Sequence, residues 1–225
     1  MEKENSIDFS MNQVVINQND VTKRYLGPGS LHRWQTEKCI LNAVKKSLPV
    51  PIILENEEEA EILMKLIPGK KASDFFSEVN SSKLLGQLGQ LLLNVHAYPV
   101  QELQGLIHGD GEVLVHGDFS LFNVLLDQNS NGLLALVDWE WAHLGDPVED
   151  LAWMEWTIRM NFGRFSRDLP FFFEAYGNLP DWHYRKEAMI MRCQRNLEFV
   201  RMNGERKSIQ QWQNRMQITK RMQPF

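Results

Sequence analysis

The sequence predicts an α+β chain of two unequal lobes, a small strand-rich N-lobe over residues 1–69 and a larger, mainly helical C-lobe over 70–225. Three observations predict it. Short β-branched runs between polar turns fill the N-terminal part, leucine-rich helical periodicity begins near residue 80, and one hairpin pattern interrupts the helical half.

QVVINQNDVTKRY, residues 13–25, reads as two short strands about the turn Asn17–Asp20. Gly27, Pro28 and Gly29 break the chain, and Ser30 is placed to cap the helix that follows. In LHRWQTEKCILNAVKK, the positions Leu31, Trp34, Ile40, Leu41 and Val44 predict a helix with one buried face. LPVPIILE ends that helix at Pro49 and opens a strand. NEEEAEILMKLIPG then predicts a turn, another strand and a stop at Pro68-Gly69. Beyond it, SSKLLGQLGQLLLNVHAYP sets Leu84, Leu85, Leu88, Leu91, Leu92 and Val95 on one side of a helix. NVLLD and LLALVDW, separated by QNSNG, predict a hairpin, and residues 147–225 read as helical.

A net charge of −5, from 24 basic and 29 acidic residues, gives no footprint for nucleic acid or an anionic membrane. The opening MEKENSIDFS lacks the apolar run of a signal peptide, and no stretch of about 18 apolar residues occurs. The two cysteines, Cys39 and Cys193, lie far apart in no metal-like spacing and read as reduced thiols. These features predict a cytoplasmic protein with no nucleic-acid and no membrane partner.

The triplet His-Gly-Asp occurs twice, at 108–110 and at 116–118. The first runs into the apolar GEVLV, so Asp110-Gly111 reads as a turn before a strand. The second leaves that strand and leads to Asn123, which opens the next one, while Asp138 closes the hairpin partner. Any one of these polar residues alone reads equally well as a turn former. Asp118, Asn123 and Asp138 together offer two carboxylates and an amide oxygen, a donor set that suits Mg²⁺ better than zinc. Magnesium with a carboxylate near a hydroxyl is equipment for phosphoryl transfer.

HGDFSLFN has the form H-x-D-x-x-x-x-N and resembles the catalytic loop of the aminoglycoside phosphotransferase and choline kinase family. VDWEWAHLGDPVEDLAWM is similar to that family's next block, and weaker likenesses lie in LLLNVHAYP and ILMKLIPG. The resemblance covers most of residues 13–160 and implies a bilobal protein-kinase-like fold. It further implies ATP and Mg²⁺ as cofactors and the hydroxyl of a small molecule as acceptor. Asp118 would orient that hydroxyl, with His116 beside it as a scaffold of the loop, and Asn123 and Asp138 would hold magnesium. Lys23 on a strand and Glu37 on the following helix would form the ion pair that positions the phosphates. Ser10, Met11 and Asn12 would form the loop over the phosphates, and Lys65 and Ile67 lie in the segment linking the lobes beside the nucleotide. That loop lacks the G-x-G-x-x-G of protein kinases.

GDPVED has a structural explanation as a helix start, with Asp146 capping, Pro147 at the first position and Glu149 at the third; Asp150 reads either way. Trp139, Trp141, Trp153, Trp156, Phe171–Phe173 and Tyr176, interleaved with Glu140, Glu155 and Glu174, could cradle a cationic aminoglycoside or amino alcohol. The same stripe reads equally as helix core. The basic tail, with Ile209, Trp212 and Met216 on one face, predicts a helix docked on the C-lobe, in a monomer or homodimer. Two rivals are a nucleotide-binding regulatory module without turnover and a metal-dependent hydrolase built on His108, His116, Asp118 and His143.

Overall fold

The computed structural model describes residues 7–9, 11–55, 58–128, 132–202 and 206–224, with side chains from residue 11 onward. Along the chain the strands are β1 (Ile7–Phe9), β2 (Asn12–Ile16), β3 (Asp20–Tyr25), β4 (Glu61–Lys65), β5 (Lys70–Lys71), β6 (Val113–Val115), β7 (Val124–Leu126), β8 (Leu133–Leu136) and β9 (His143–Gly145). The helices are α1 (Ser30–Val44), α2 (Ala72–Phe75), α3 (Ser81–His96), α4 (Val148–Asn161), α5 (Leu169–Tyr176), α6 (Trp182–Met202) and α7 (Arg206–Arg221). A small strand-rich lobe thus precedes a mostly helical one.

The small lobe is an antiparallel sheet in the order β1-β2-β3-β4 covered by α1. On β3 the period-two alternation sends Val21, Lys23 and Tyr25 to one face, and the register sets Val21 opposite Met64 and Lys23 opposite Ile62. The face α1 turns inward is Arg33, Thr36, Glu37, Ile40, Leu41 and Val44, an unbroken helical stripe. Its C-terminal half is apolar and its N-terminal half polar, so one face both packs the sheet and delivers charge to the cleft. The expected apolar face is corrected accordingly: Leu31 is 47% exposed, and Trp34 is half-buried, its indole N–H donating to the Glu61 carbonyl at 2.9 Å.

Two further expectations change. Ser30 is the first helical residue rather than the cap; Gly29, at φ 71°, precedes the helix and accepts the Arg33 N–H at 2.9 Å. LPVPIILE forms only a single bridge, Ile53 to Met64, because Pro49 and Pro51 have no N–H to give a ladder. The 2–3 and 7–8 hairpins form in the expected places.

In the larger lobe, α3 buries all six of its expected apolar positions against α5. The helices approach so closely at Gly89 that a β-carbon there would collide with the Phe172 carbonyl. Strand β7 lies between β5 and β8, while β6 pairs with β9, so the loop from β6 to β7 passes between two small sheets. The hydrophobic core runs from Ile40, Leu41 and Ile62 of the small lobe into Leu88, Leu92, Phe119 and Trp139 of the large one. Helix α7 docks on α4 and α6 as the tail's pattern predicts: Trp153, Trp156 and Trp212 stack, with Trp153 and Trp156 centroids 4.5 Å apart, and the Trp156 indole N–H donates to Thr219 Oγ1 at 2.8 Å. Among the described residues no helix is long and apolar enough to cross a membrane.

Candidate active site

Asp118 sits on the loop between β6 and β7, and the loop's shape is set from below. Asp150, fully buried in the first turn of α4, accepts the backbone N–H groups of His116 at 2.7 Å and Gly117 at 2.9 Å. It also meets His96 Nε2 at 3.2 Å, and His96 Nδ1 lies 2.8 Å from the Tyr176 hydroxyl. Burial pushes the Asp150 carboxyl up, but these donors outweigh it and hold the group below the usual range. Gly117 has φ 79°, and a β-carbon there would strike the Trp141 carbonyl.

His116, expected beside Asp118 at the site, is fully buried. Its Nε2 lies 3.1 Å from the Val137 carbonyl, and its Nδ1 accepts the Asp118 N–H at 3.2 Å, so one neutral tautomer satisfies both. Both ring nitrogens are thereby committed to backbone, Nδ1 within the loop and Nε2 to the segment after β8, so the imidazole ties the loop to that segment.

The Asp118 carboxylate is held on both sides. Oδ1 accepts the Trp153 indole N–H at 2.7 Å, and Oδ2 accepts Asn123 Nδ2 at 2.8 Å. Asn123 Nδ2 also donates to the Asp118 carbonyl at 2.9 Å, so its remaining oxygen is what Asn123 has to offer a cation. Burial raises the Asp118 carboxyl above its ordinary value, opposed by Arg192, whose Nη2 stands 3.7 Å from Oδ1.

The Lys23 ammonium, buried on β3, is ringed by three carboxylates. It meets Glu37 Oε2 at 2.6 Å, Glu140 Oε2 at 3.1 Å and Asp138 Oδ1 in a shorter contact. These three carboxylates lie within 4.8 Å of one another, and the cation they surround is the lysine itself. Burial pulls the Lys23 pKa down, yet the three negative charges push it well above the ordinary lysine value. Asp138 moves the other way, below the usual range, because the attraction of Lys23 outweighs burial. Glu140 is pushed up to about 7 by burial and by Asp138.

Glu37 is fixed further by the Tyr25 hydroxyl at 2.7 Å and the Trp139 N–H at 3.2 Å, so one glutamate ties β3 and α1 to the segment after β8. Asp138 has φ 70°, a costly conformation for a non-glycine residue. The Val137 N–H donates to the Asn123 carbonyl at 2.8 Å, which brings Asn123 beside the strand end that carries Asp138.

Other expectations are placed differently. Ser10 lies outside the described residues. Asn12 is buried in β2, not at a loop tip: it donates to Glu140 at 2.7 Å and accepts from Arg33 at 2.9 Å. With Phe9 opposite Asn12, only residues 10 and 11 join β1 to β2. Lys65 is exposed at the end of β4, its N–H donating to the Ile52 carbonyl at 2.9 Å, and the Ile67 carbonyl accepts the Gly69 N–H at 2.8 Å. Neither lines the Asp118 cavity.

Of the aromatic stripe, Trp139, Trp156, Phe172 and Phe173 are core, while Trp141 and Trp153 face the cavity. Glu155 is buried against Arg159 at 2.8 Å and against Arg185, so it is spent on structure, and Glu174 is exposed. Asp146 caps as expected, accepting the Val148 N–H at 2.8 Å, while its own N–H reaches Glu149 at 3.3 Å. Glu149 also meets His143 at 3.3 Å, a contact that its capping role did not reveal.

Sequence reasoning missed Arg33 and Arg192 and left Asp150 open. Arg33 was detectable as the helical neighbour of Glu37 on the stripe; Arg192 carries no local signal, and the inward turn of Asp150 is decided by its tertiary partners. The first triplet also does more than turn: His108 stacks on His143 with centroids 5.3 Å apart and reaches the cavity wall.

A buried lysine–glutamate pair bridging sheet and helix, facing an aspartate loop in a helical lobe, defines the bilobal protein-kinase-like class. Within that class, the resemblance read from HGDFSLFN to the aminoglycoside phosphotransferase family is borne out. The model of the phosphotransferase enzyme family matches residues 106–188. A probable aminoglycoside 3'-phosphotransferase of Lactococcus lactis subsp. lactis is 39% identical over 67 residues, 29% of this chain and 24% of that protein. That matched stretch therefore spans about a quarter of the curated relative. The fold extends over nearly the whole chain. An aminoglycoside 2'-phosphotransferase-IIIa in its GDP complex superposes with a TM-score of 0.77 at 13% identity, covering 97% of this chain and 92% of that one. A macrolide 2'-phosphotransferase type I gives 0.70 at 15%, covering 96% and 91%.

Proposed function

We propose that this protein transfers the terminal phosphoryl group of Mg·ATP to a hydroxyl of a small molecule, yielding a phosphate ester and ADP. The observation that carries the reading is the Asp118 carboxylate. It is fixed by Trp153 and Asn123 on the wall of a cavity of about 550 Å³, on a loop whose backbone is anchored by Asp150. An ionised carboxylate held so firmly accepts the hydrogen bond of an entering hydroxyl and keeps its oxygen aimed at the phosphorus.

Lys23, oriented by Glu37, presents a permanent positive charge where nucleotide phosphates would lie, and its contact with Asp138 closes the small lobe onto the large one. The oxygen donors of Asn123 and Asp138 fit magnesium, which when bound supplies charge neutralisation at the phosphates. The nucleotide complexes among the structural neighbours support nucleotide use, and aminoglycoside and macrolide phosphotransferases among them support a small-molecule acceptor. Both cysteines are free, which suits the reducing cytoplasm.

The reading is tested by magnesium-dependent ADP release against a panel of aminoglycosides, macrolides, amino alcohols and hydroxy acids, comparing wild type with Asp118→Asn. Acceptor-stimulated release that falls about 10²- to 10⁴-fold in the variant is expected. Release within threefold of wild type in Asp118→Asn, or ATP binding with no stimulation by any acceptor, would overturn it.

A further inference from the structure

The cavity in front of Asp118 is not built to receive a polycation. Its apolar wall is Met11, Trp141, Trp153, Phe199, Val200 and Trp212; its polar wall holds Arg192, Arg195, Asn196 and the histidines 32, 108 and 143. The lining carboxylates are Asp118 and Glu140, and both already have partners from the chain. Asp118 is engaged by Trp153, Asn123 and Arg192. Glu140 is engaged by Asn12 at 2.7 Å, Lys23 at 3.1 Å and Arg33 at 3.2 Å. Glu149, behind the wall, is shared by His143 and Arg195. Among the described residues the cavity therefore offers an ammonium group no lining carboxylate without a partner from the chain.

An anion meets the opposite situation. Arg192, on α6, lies over the Trp153 ring with its guanidinium carbon 5.0 Å from the centroid, and its Nε is buried with no hydrogen-bond partner among the described residues. The terminal guanidinium nitrogens make no hydrogen bond to the chain among the described residues, the nearest carboxylate, Asp118, standing 3.7 Å away, so a carboxylate or phosphate oxygen in the cavity can take their N–H groups where an ammonium cannot. The stacking on Trp153 holds the fork in place. Because the guanidinium stands 3.7 Å from the carboxylate that would bind the acceptor hydroxyl, a group resting on Arg192 lies close to that hydroxyl.

Resting on the phosphotransfer reading, we infer that the acceptor carries an anionic group one or two carbons from its hydroxyl, joined to an apolar or aromatic body. Arg192 anchors the anion and the tryptophan-lined wall takes the body. The class is that of aryl or alkyl hydroxy acids and their phosphate counterparts, not polyamino sugars.

Three probes share one benzyl body and differ in charge beside the hydroxyl: 3-phenyllactate, 3-phenylpropane-1,2-diol and 2-amino-3-phenylpropan-1-ol. Calorimetric titration of the full chain in Mg·ADP measures each, with ADP release from Mg·ATP followed in parallel. Phenyllactate is expected to bind about tenfold or more tightly than the other two. Arg192→Gln brings it to the level of the diol, while Arg192→Lys keeps it ahead of the amino alcohol. The inference is overturned if the amino alcohol equals or exceeds phenyllactate, or if phenyllactate does not bind. It is overturned as well if Arg192→Gln weakens ADP and leaves the order of the three probes intact, since Arg192 then serves the nucleotide phosphates. Release driven by aminoglycosides or amino alcohols, with hydroxy acids inert, would leave phosphotransfer standing and remove this inference. The expected binding order with no release from any acceptor would overturn the phosphotransfer reading and leave Arg192 as an anion site with no acceptor role.

Discussion

Replacing Asp150 removes a fully buried carboxylate on which the backbone of the Asp118 loop is built. In Asp150→Ala the N–H groups of His116 and Gly117 and one nitrogen of His96 lose their acceptor in a fully buried place. Each orphaned buried donor costs about 1–3 kcal/mol, so the total is about 3–5 kcal/mol even if one of them finds water. For a chain of this size about 1 kcal/mol shifts the melting temperature by roughly 2–4 °C, so a fall on the order of 10 °C is expected. Asp150→Asn keeps one acceptor oxygen but turns an amide N–H toward donors, and it folds well enough to assay. In that variant kcat is expected to fall about 100-fold, as for a misplacement of about 1 Å, with the KM for ATP nearly unchanged because Lys23 and Glu37 are untouched. The assays are thermal melting by circular dichroism and steady-state ADP release. A melting temperature within 2 °C of wild type for Asp150→Ala, with kcat within threefold for Asp150→Asn, would refute the claim that Asp150 positions the loop.

Two further predictions follow from the charges. Lys23→Met leaves Glu37, Asp138 and Glu140 crowded without their ammonium, and removal of one partner of a buried pair costs about 3–5 kcal/mol. The folded-state pKa values of Asp138 and Glu140 then rise above the unfolded ones, so stability is retained at low pH and lost as pH rises. Thermal melts should show a larger deficit against wild type at pH 8 than at pH 5, and an equal or reversed deficit would contradict the arrangement. Arg192→Gln removes a positive charge that holds the Asp118 carboxyl down against burial, so the acid limb of kcat/KM moves to higher pH, which a pH–rate profile reads directly; a limb that stays put would show that Arg192 does not act on Asp118.

Local chemistry carried most of the fold in the sequence. The short polar-bounded run DVTKRY placed a strand carrying Lys23, and the leucine spacing in SSKLLGQLGQLLLNV placed α3, because these patterns answer to the backbone's own geometry. The order and spacing of Asp118, Asn123 and Asp138 likewise marked them as candidates, since a short loop and a strand end beside it leave few ways to aim their side chains. Where the pattern misled, tertiary demand won. Leu31 stayed exposed while Arg33 was buried, because the start of α1 faces a charged cleft rather than the sheet.

What the sequence by itself determined is the two lobes, most of their elements and the candidate residues of the loop after β6. Only the tertiary structure decided the partnerships. Arg33 and Glu140 are 107 residues apart, Asp150 lies 34 residues from the His116 N–H it accepts, and Arg192 reaches Asp118 from α6. Burial makes such distant pairs strong, because in a water-poor interior a charge must find its partner wherever the fold places one. No local propensity encodes that requirement, so the character of the cavity in front of Asp118 emerges only when the chain closes on itself.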